Sequence, residues 1–303
     1  MLWLVIVLIA AAAILIFLIK SGRKLWKAYL SDVKTSFAEM NSCNASNASN
    51  VSNASNASNV SNASMELFTE TGICGLPALL QKHIANGGYL NKPLMDNMLI
   101  RFHNTKFRMS PDSKPMNIEF MQVNFAYRPD RHAFLTGRMA GLPLNGKDSI
   151  LDGHGSMTVT FAKVFQLFHV TGPEMDRAQL VTALADAVFM PSLFLQDFIT
   201  WRETDDHTIE GEISWKGVSS KGRFSFDECG NIIRFDTDDR YMDDNGKGGA
   251  LMPWYVIYSD YKEQNGYFQP GSVSVNWSLP DGDDNYFVSD SIEIRYSVNE
   301  EIL

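Results

Sequence analysis

Residues 172–191, GPEMDRAQLVTALADAVFMP, decide the fold of this chain, because they form one long helical segment between two runs of strand-like sequence. Pro173 is favoured in a first helical turn, where its missing N–H costs nothing, and Pro191 cannot continue a helix. Glu174 and Asp176 lie near the positive end of the helix dipole, where carboxylates are stabilising. The pattern predicts a helix that begins at Pro173 and ends at the residue before Pro191.

Strand-like segments lie on both sides of this helix in the sequence. They are rich in β-branched and aromatic residues and are separated by Gly, Pro, Asn and Asp. The segments are 97–109, 116–128, 132–140, 145–152 and 155–170 before the helix, and 197–203, 208–217, 219–227, 231–240, 254–262, 271–279 and 286–297 after it. This order predicts a mainly β (α+β) fold, in which a curved antiparallel sheet or half-barrel is wrapped around the one long helix.

The N-terminus is continuously apolar over residues 2–19 and reaches Lys20. At about 1.5 Å per residue, a helix of this length nearly spans a hydrocarbon core of about 30 Å. A cleaved signal peptide is the competing interpretation, but no basic side chain precedes the run and no small-residue cleavage site ends it. We therefore predict a retained transmembrane helix over residues 1–20, with the lipid bilayer as its partner.

Basic residues follow this segment at Lys20, Arg23, Lys24 and Lys27. Because basic residues at a helix end favour the cytoplasmic side, they predict that the rest of the chain is cytoplasmic. An extracytoplasmic location is the alternative.

Residues 21–42 carry an apolar stripe with three- and four-residue spacing. The stripe consists of Trp26, Tyr29, Leu30, Val33, Phe37 and Met40. The spacing predicts an amphipathic helix that continues from the anchor. A plain juxtamembrane stalk is the preferred interpretation, and a helix that lies on the membrane or self-associates is the alternative.

Residues 43–65 contain seven copies of Asn-Ala-Ser or Asn-Val-Ser, from Asn44 to Ser64. Such small polar residues bury too little apolar surface to offset the entropy of ordering, so we predict a flexible linker. Every Asn in the repeat also satisfies the glycosylation pattern, although modification would require translocation of the domain, against the basic flank. A β-rich globular domain is predicted to occupy residues 66–303.

The charge distribution argues against one class of partner. The chain carries a net charge of −9, yet its first 64 residues hold five Lys or Arg against two Asp or Glu, so the globular domain is more acidic than the whole. Such a surface repels nucleic-acid phosphates and anionic lipid headgroups, and nucleic-acid binding is therefore excluded. The three cysteines, Cys43, Cys74 and Cys229, match neither a disulfide framework nor a metal cluster.

No motif predicts a cofactor or a metal. The segment from Gly141 to Asp148 departs from a phosphate-binding loop at its last position and leads into a strand, so a tight turn is preferred. The acidic cluster from Asp236 to Asn245 lacks the spacing of an EF-hand, so a solvated hairpin loop is preferred over a calcium site.

A set of short motifs in fixed order covers most of residues 74–297. The motifs are Gly172–Asp176, Ala187–Pro191, Arg240–Tyr241, Pro253–Trp254 and Trp277–Gly282. Together they resemble an uncharacterised bacterial family, catalogued only as a domain of unknown function, whose members often carry an N-terminal transmembrane helix. The resemblance implies no catalytic residue. The order of elements also looks like the LolA-like half-barrel of lipoprotein carriers, in which a sheet and a helix enclose an apolar cavity.

These observations favour a non-enzymatic, membrane-tethered binding protein for an apolar ligand such as a lipid or an acyl chain. The ligand is expected between the sheet and the helix, against apolar and aromatic side chains with a polar handle at the mouth. The expected lining residues are Leu180, Leu184, Val188, Phe189, Trp201, Trp215 and Trp254, and the expected handle is Arg240 with Tyr241.

Two alternatives from other classes stay open. The first is a membrane-anchored enzyme that uses Glu174 or Asp176 as acid or base, together with Arg240 and Tyr241. Its requirement is that these groups converge in one cleft. The second is a non-catalytic scaffold that docks a membrane partner, for which an exposed apolar patch is the expected sign.

Overall fold

One large antiparallel sheet makes up most of the protein. The computed structural model describes Trp3 and residues 23–54, 66–243 and 249–302. The helices are α1 (Lys24–Ala54), α2 (Glu70–Ile73), α3 (Ala78–Asn86) and α4 (Pro173–Ala185), with short 3-10 helices at Asp186–Phe189, Pro191–Leu195 and Glu300–Ile302. The strands are β1 (Asn97–Phe107), β2 (Met116–Phe125), β3 (Arg131–Met139), β4 (Leu142–Leu151), β5 (His154–Phe161), β6 (Phe165–Thr171), β7 (Ile199–Asp205), β8 (Thr208–Trp215), β9 (Val218–Phe226), β10 (Ile232–Thr237), β11 (Tyr241–Asp243), β12 (Gly249–Leu251), β13 (Trp254–Ser259), β14 (Lys262–Gln264), β15 (Tyr267–Gln269), β16 (Ser272–Leu279), β17 (Gly282–Ser289) and β18 (Ile292–Tyr296).

The sheet is continuous from the strands before α4 to the strands after it. Its order is β6-β5-β4-β3-β2-β1-β17-β16-β13-β10-β9-β8-β7, and β18 also pairs with β1. Two short hairpins, β11–β12 and β14–β15, lie outside this sheet. The prediction of a mainly β fold with a large antiparallel sheet and a helix is confirmed. The order ends at β6 and β7, which do not pair with each other, so the sheet is not a closed barrel.

Helix α4 lies against strands from both ends of this order, namely β4 to β6 on one side and β8 and β9 on the other. A Cβ at Gly155 of β5 would lie 2.4 Å from the carbonyl oxygen of Met175, so glycine is what allows β5 so close to the start of the helix. From the other side, the Ser220 hydroxyl of β9 donates to the Arg177 carbonyl at 3.1 Å. One helix can touch both sides only because the sheet bends around it.

Three local predictions are wrong. The segment 155–170 is two strands, because Ala162 and Lys163 adopt positive φ angles of 51° and 65° and form a turn. The segment 286–297 is likewise divided between β17 and β18. At the segment from Gly141 to Asp148, the chain turns only at Ala140 and Gly141. Asn145–Asp148, which has the composition of a turn, lies inside β4, where Gly146 leaves room for the side chain of Leu135, which would lie 2.8 Å from a Cβ.

Helix α1 packs on the outer face of the sheet. Its stripe of Tyr29, Val33, Phe37 and Met40 is buried against Leu99, Val123, Phe125 and Phe134. Adjacent side chains of a strand point to opposite faces, and Ile100 next to Leu99 belongs to the inner core around α4. In this structure the amphipathic stripe covers the protein's own sheet. Each buried side chain contributes about 1.5–3 kcal/mol.

Helix α1 also continues further than predicted. It extends to Ala54, so the predicted linker 43–65 is helical in its first half, and residues 55–65 lie outside the described residues. Extending an existing helix costs much less than nucleating one, and Ala is the best helix former. The predicted transmembrane segment, residues 2–19, lies outside the described residues except for Trp3. In the described part of the chain, no helix combines the length and apolarity needed to cross a membrane.

Candidate ligand cavity

Two adjoining cavities lie between α4 and the inner face of the sheet. We call the first the rim cavity, because residues 108–110, which follow β1 at the edge of the sheet, form part of its wall. It has a volume of about 160 Å³, and its walls include Met109, Val159, Phe168, Tyr241 and Trp277. The second, the central cavity, has a volume of about 130 Å³, and its walls include Phe102, Phe120, Phe189, Trp254 and Val275.

The two cavities share part of their walls. Phe107, Leu135, Met157, Arg240 and Tyr286 contact both. The cavities are therefore neighbours in one space between helix and sheet, and the side chains that separate them also line them.

The structure brings four of the predicted lining residues to this space. Arg240 borders both cavities, Tyr241 borders the rim cavity, and Phe189 and Trp254 border the central cavity. Phe189 ends the 3-10 helix after α4, Arg240 precedes β11, and Tyr241 and Trp254 are the first residues of β11 and β13. That these four residues contact a ligand stays a prediction.

The other predicted lining residues are part of the packed core. Leu180, Leu184 and Val188 are fully buried and border neither cavity. Trp201 packs against Phe194 and Phe224, and Trp215 packs against Phe198. Leu180 and Leu184 of α4 therefore face the core, while Met175 and several smaller or polar residues face the cavities. These are Ala178, Gln179, Thr182 and Ala185 of α4, and Asp186 directly after it.

Arg240 is held without an ion-pair partner among the described residues. Its Nη1 donates to the Ala178 carbonyl at 3.0 Å and to the Thr182 hydroxyl. The guanidinium carbon lies 4.5 Å from the Trp254 ring centroid and 5.7 Å from that of Trp277. Its Nε is buried and has no hydrogen-bond acceptor. A buried donor without a partner costs about 1–3 kcal/mol, and a ligand oxygen would remove that cost.

A buried polar network that the sequence analysis did not identify forms one wall of the central cavity. Arg131 donates to Asp148 and to Asp186, at 2.8 Å in each case, and Asp186 also accepts from Gln122 at 2.8 Å. Burial opposes the charge on Arg131, but the two carboxylates outweigh it and raise the pKa of the guanidinium. Strand alternation could have identified Arg131 as an inward residue. It lies on the same face of β3 as Leu135, which belongs to the inner core.

The carboxylates considered for acid–base chemistry lie elsewhere. Glu174 is exposed, and Asp176 accepts the Gly155 N–H at 2.6 Å, which fastens the start of α4 to β5. Neither residue borders the cavities that Arg240 lines. The position of Asp176 in the sequence indicated that it stabilises the start of a helix. In the structure it also joins that start to β5.

A second unpredicted polar group lies under α1. The Ser36 hydroxyl donates to Asp130 Oδ2 at 2.8 Å and lies 2.8 Å from His132 Nε2. Burial, reinforced by Lys147 and Arg131, lowers the pKa of His132 to about 3. Serine, histidine and aspartate also form hydrolytic triads, but there histidine is the central residue, whereas here serine is. All three are almost completely buried, so the group fastens α1 to the sheet.

The fold and its inner cavities define a sheet-and-helix domain with mainly apolar spaces between the helix and the sheet. The chain belongs to a family of unknown function, DUF6544, which matches residues 66–289. The predicted resemblance to an uncharacterised family is thereby confirmed.

Other comparisons add little. No curated protein sequence matches the chain. Among solved structures, it is similar to a LolA superfamily protein from Nitrosomonas europaea, with 9% sequence identity and a TM-score of 0.39, over 74% of this chain and 95% of that one. At that score the likeness carries no functional argument.

Proposed function

We propose that this protein is a membrane-tethered binding protein for an apolar ligand such as a lipid or an acyl chain. The observation that carries the proposal is the pair of adjoining cavities between α4 and the sheet. Protein interiors are normally packed as densely as organic crystals, so two neighbouring spaces of this size in one core need a reason. Occupation by a ligand is such a reason.

The cavity volumes set the size of ligand that fits without rearrangement. A dry apolar cavity of about 150 Å³ accommodates one benzene molecule. The rim cavity of about 160 Å³ and the central cavity of about 130 Å³ each have comparable room. Movement of a shared wall residue such as Met157, whose unbranched side chain adapts easily, would join them into one space for a short acyl chain.

Arg240 gives the site a polar end. Its unpaired Nε and its position beside two neighbouring indole rings suit the oxygen atoms of a carboxylate, ester or phosphate group. The predicted handle at the mouth would then fix the orientation of the ligand, with its apolar chain directed towards the central cavity.

The tether rests on the sequence. Residues 2–19 are long and apolar enough to anchor the chain, and the basic residues that follow favour a cytoplasmic domain. The anchor and the cytoplasmic location are part of the proposal. They suit a protein whose ligand resides in the bilayer.

A fluorescence titration of the full chain in mild detergent tests ligand binding. The probe is a polyene fatty acid whose emission rises in apolar surroundings. Met157→Trp fills the wall shared by both cavities, and we expect it to weaken probe binding at least tenfold. The matched control is Met139→Trp, at a half-buried position on β3 that borders neither cavity. Equal affinity in both variants and the wild type, with unchanged thermal unfolding, would contradict the proposal.

A further inference from the structure

Several hairpin tips meet at one edge of the sheet, beside the start of α1. In an antiparallel sheet the tips of β1–β2, β3–β4 and β5–β6 lie at the same edge. Arg23 and Trp26, at the start of α1, share an open groove with residues from these tips. The helix then runs towards the opposite edge, where the Asn97 amide contacts the Met40 sulfur at 3.7 Å. We call residues 23–27, 107–116, 138–143 and 161–165 the basic rim.

The charge of the basic rim opposes that of the whole chain. Its four segments contain seven Lys or Arg residues and one acidic residue, Asp112, in a protein with a net charge of −9. Arg108 is paired with Asp284 of the β16–β17 hairpin, whose acidic tip lies at the same edge, so the other six cations carry the positive charge of the rim. The basic residues are Arg23, Lys24, Lys27, Arg108, Lys114, Arg138 and Lys163. Arg138 and Lys163 are exposed and lie around the same groove as Arg23. A positive patch on an acidic protein attracts an anionic partner.

Large apolar side chains are exposed among and beside these cations. Leu142 is 47% exposed at the start of β4, Phe165 is 64% exposed at the start of β6, and Leu167 is 41% exposed on the same edge strand. Exposed apolar side chains within a basic surface are typical of proteins that lie on anionic bilayers. An acidic peptide or a nucleic acid would account for the cations but not for Phe165 projecting between them.

The proposed anchor lies on the N-terminal side of this edge. Arg23 lies four residues after the apolar segment 2–19, and α1 begins at the basic rim. An anchor in the membrane would therefore hold the basic rim, and not the opposite edge, next to the lipid headgroups.

We infer that the basic rim docks on the surface of a bilayer that contains anionic phospholipids. Arg138, Lys163 and Arg23 bind lipid phosphates, while Leu142 and Phe165 enter the interface. The rim cavity is walled by Arg108, Met109 and Ser110 of the same rim, so in the docked state a lipid passes from the bilayer to the cavity without crossing bulk water. This inference rests on the tether of the proposed function, and does not depend on the chemistry of the ligand.

The test uses the full chain in lipid nanodiscs that contain a phospholipid with a nitroxide on its headgroup. A fluorophore is attached at Gln166→Cys, an exposed position next to Phe165, with Cys43, Cys74 and Cys229 replaced by serine. The matched protein carries the fluorophore at its native Cys229, which is exposed in the β9–β10 turn, at the opposite end of β10 from Arg240. With anionic discs, we expect at least threefold stronger quenching at position 166 than at 229.

Charge removal then tests the contacts. Arg138→Gln with Lys163→Gln is expected to lower the ratio of docked to undocked domain about 25-fold, at roughly fivefold for each cation. The control pair, Lys82→Gln with Arg202→Gln, removes the same charge from exposed positions outside the basic rim and should leave quenching unchanged.

Equal quenching at the two label positions overturns the docking, as does full quenching after the rim cations are removed. A chain that does not stay with the discs overturns the tether and the docking together. Loss of fatty-acid binding in the titration above overturns only the ligand proposal, because quenching at position 166 does not require a filled cavity.

Discussion

The sheet has a helix on each face, and the two interfaces are built differently. On the outer face, α1 fills its groove with Tyr29, Val33 and Phe37, and Ser36, Asp130 and His132 are hydrogen-bonded beneath it. On the inner face, α4 leaves two cavities and a charged network beside them. Each face also has buried polar atoms without a partner, which are the Tyr29 hydroxyl and His132 Nδ1 under α1 and Arg240 Nε beside α4. The two interfaces therefore differ in packing, because the outer one is filled and the inner one keeps empty space. This contrast can be tested from each side.

The largest expected effect is at the outer interface. Phe37 is 3% exposed and meets Phe125 edge-to-face, with ring centroids 5.0 Å apart. Phe37→Ala should lower the free energy of unfolding by about 3–5 kcal/mol, since it removes a large side chain from a filled site. Urea unfolding of the full chain in mild detergent measures this. The control, Phe165→Ala, removes a ring that is 64% exposed and should change stability by less than about 0.5 kcal/mol. Similar losses in both variants would show that α1 does not pack as described.

The buried network of the inner face is expected to come next. Asp186→Ala leaves Arg131 with one carboxylate in a nearly dry site and should cost about 3 kcal/mol, near the lower limit for a broken buried pair because the Asp186 side chain is 16% exposed. Asp238→Ala breaks an exposed pair with Arg223 and should cost less than about 1 kcal/mol. Urea unfolding of both variants gives the two losses in the free energy of unfolding. Equal losses would mean that the network around Arg131 is solvated.

Acid should weaken the outer interface through His132. Its folded pKa of about 3 lies below the ordinary histidine value of 6.5, so between these values the unfolded chain binds a proton that the folded protein excludes. Stability therefore falls as the pH drops below 6.5, by about 1.4 kcal/mol per pH unit. His132→Asn should remove this contribution, giving a shallower loss between pH 6 and pH 4. Parallel stability curves for the variant and the wild type would contradict the burial of a neutral imidazole.

The smallest expected effect compares one added methyl group on each face. Val275 borders the central cavity, and Val123 is fully buried under α1. Val275→Ile should stabilise the protein by about 0.5–1 kcal/mol by filling empty space. Val123→Ile should destabilise it by about 1–3 kcal/mol, because that side is already full. Thermal unfolding measures both, and two shifts of the same sign would remove the proposed difference between the interfaces.

Sequence patterns predicted the parts of this molecule that depend on neighbours in the chain. Pro173 and Pro191 enclose the segment of α4 and its 3-10 continuation, and the strand segments gave the antiparallel sheet. The turn at Ala162 and Lys163 was not predicted, because alanine and lysine do not indicate a positive φ angle. Asn145–Gly146 has the composition of a turn, but the side chain of Leu135 requires glycine there within a strand.

Contacts between distant residues were harder to predict. An amphipathic stripe shows that α1 must cover something apolar, but it does not distinguish a membrane, a second copy or the protein's own sheet. For the same reason, the most apolar residues of α4 were assigned to the ligand, although they face the core. Arg240 was identified through its motif with Tyr241, while the network around Arg131 depends on a partner 55 residues away, Asp186.

The docking of α1 changes what the Asn-x-Ser repeat can do. The stripe of α1 from Tyr29 to Met40 packs on the sheet before the repeat begins at Asn44. The position of α1 on the sheet is therefore held by side-chain contacts and does not depend on the number of repeat copies. A change in that number would leave the contacts of Tyr29, Val33 and Phe37 with the sheet intact.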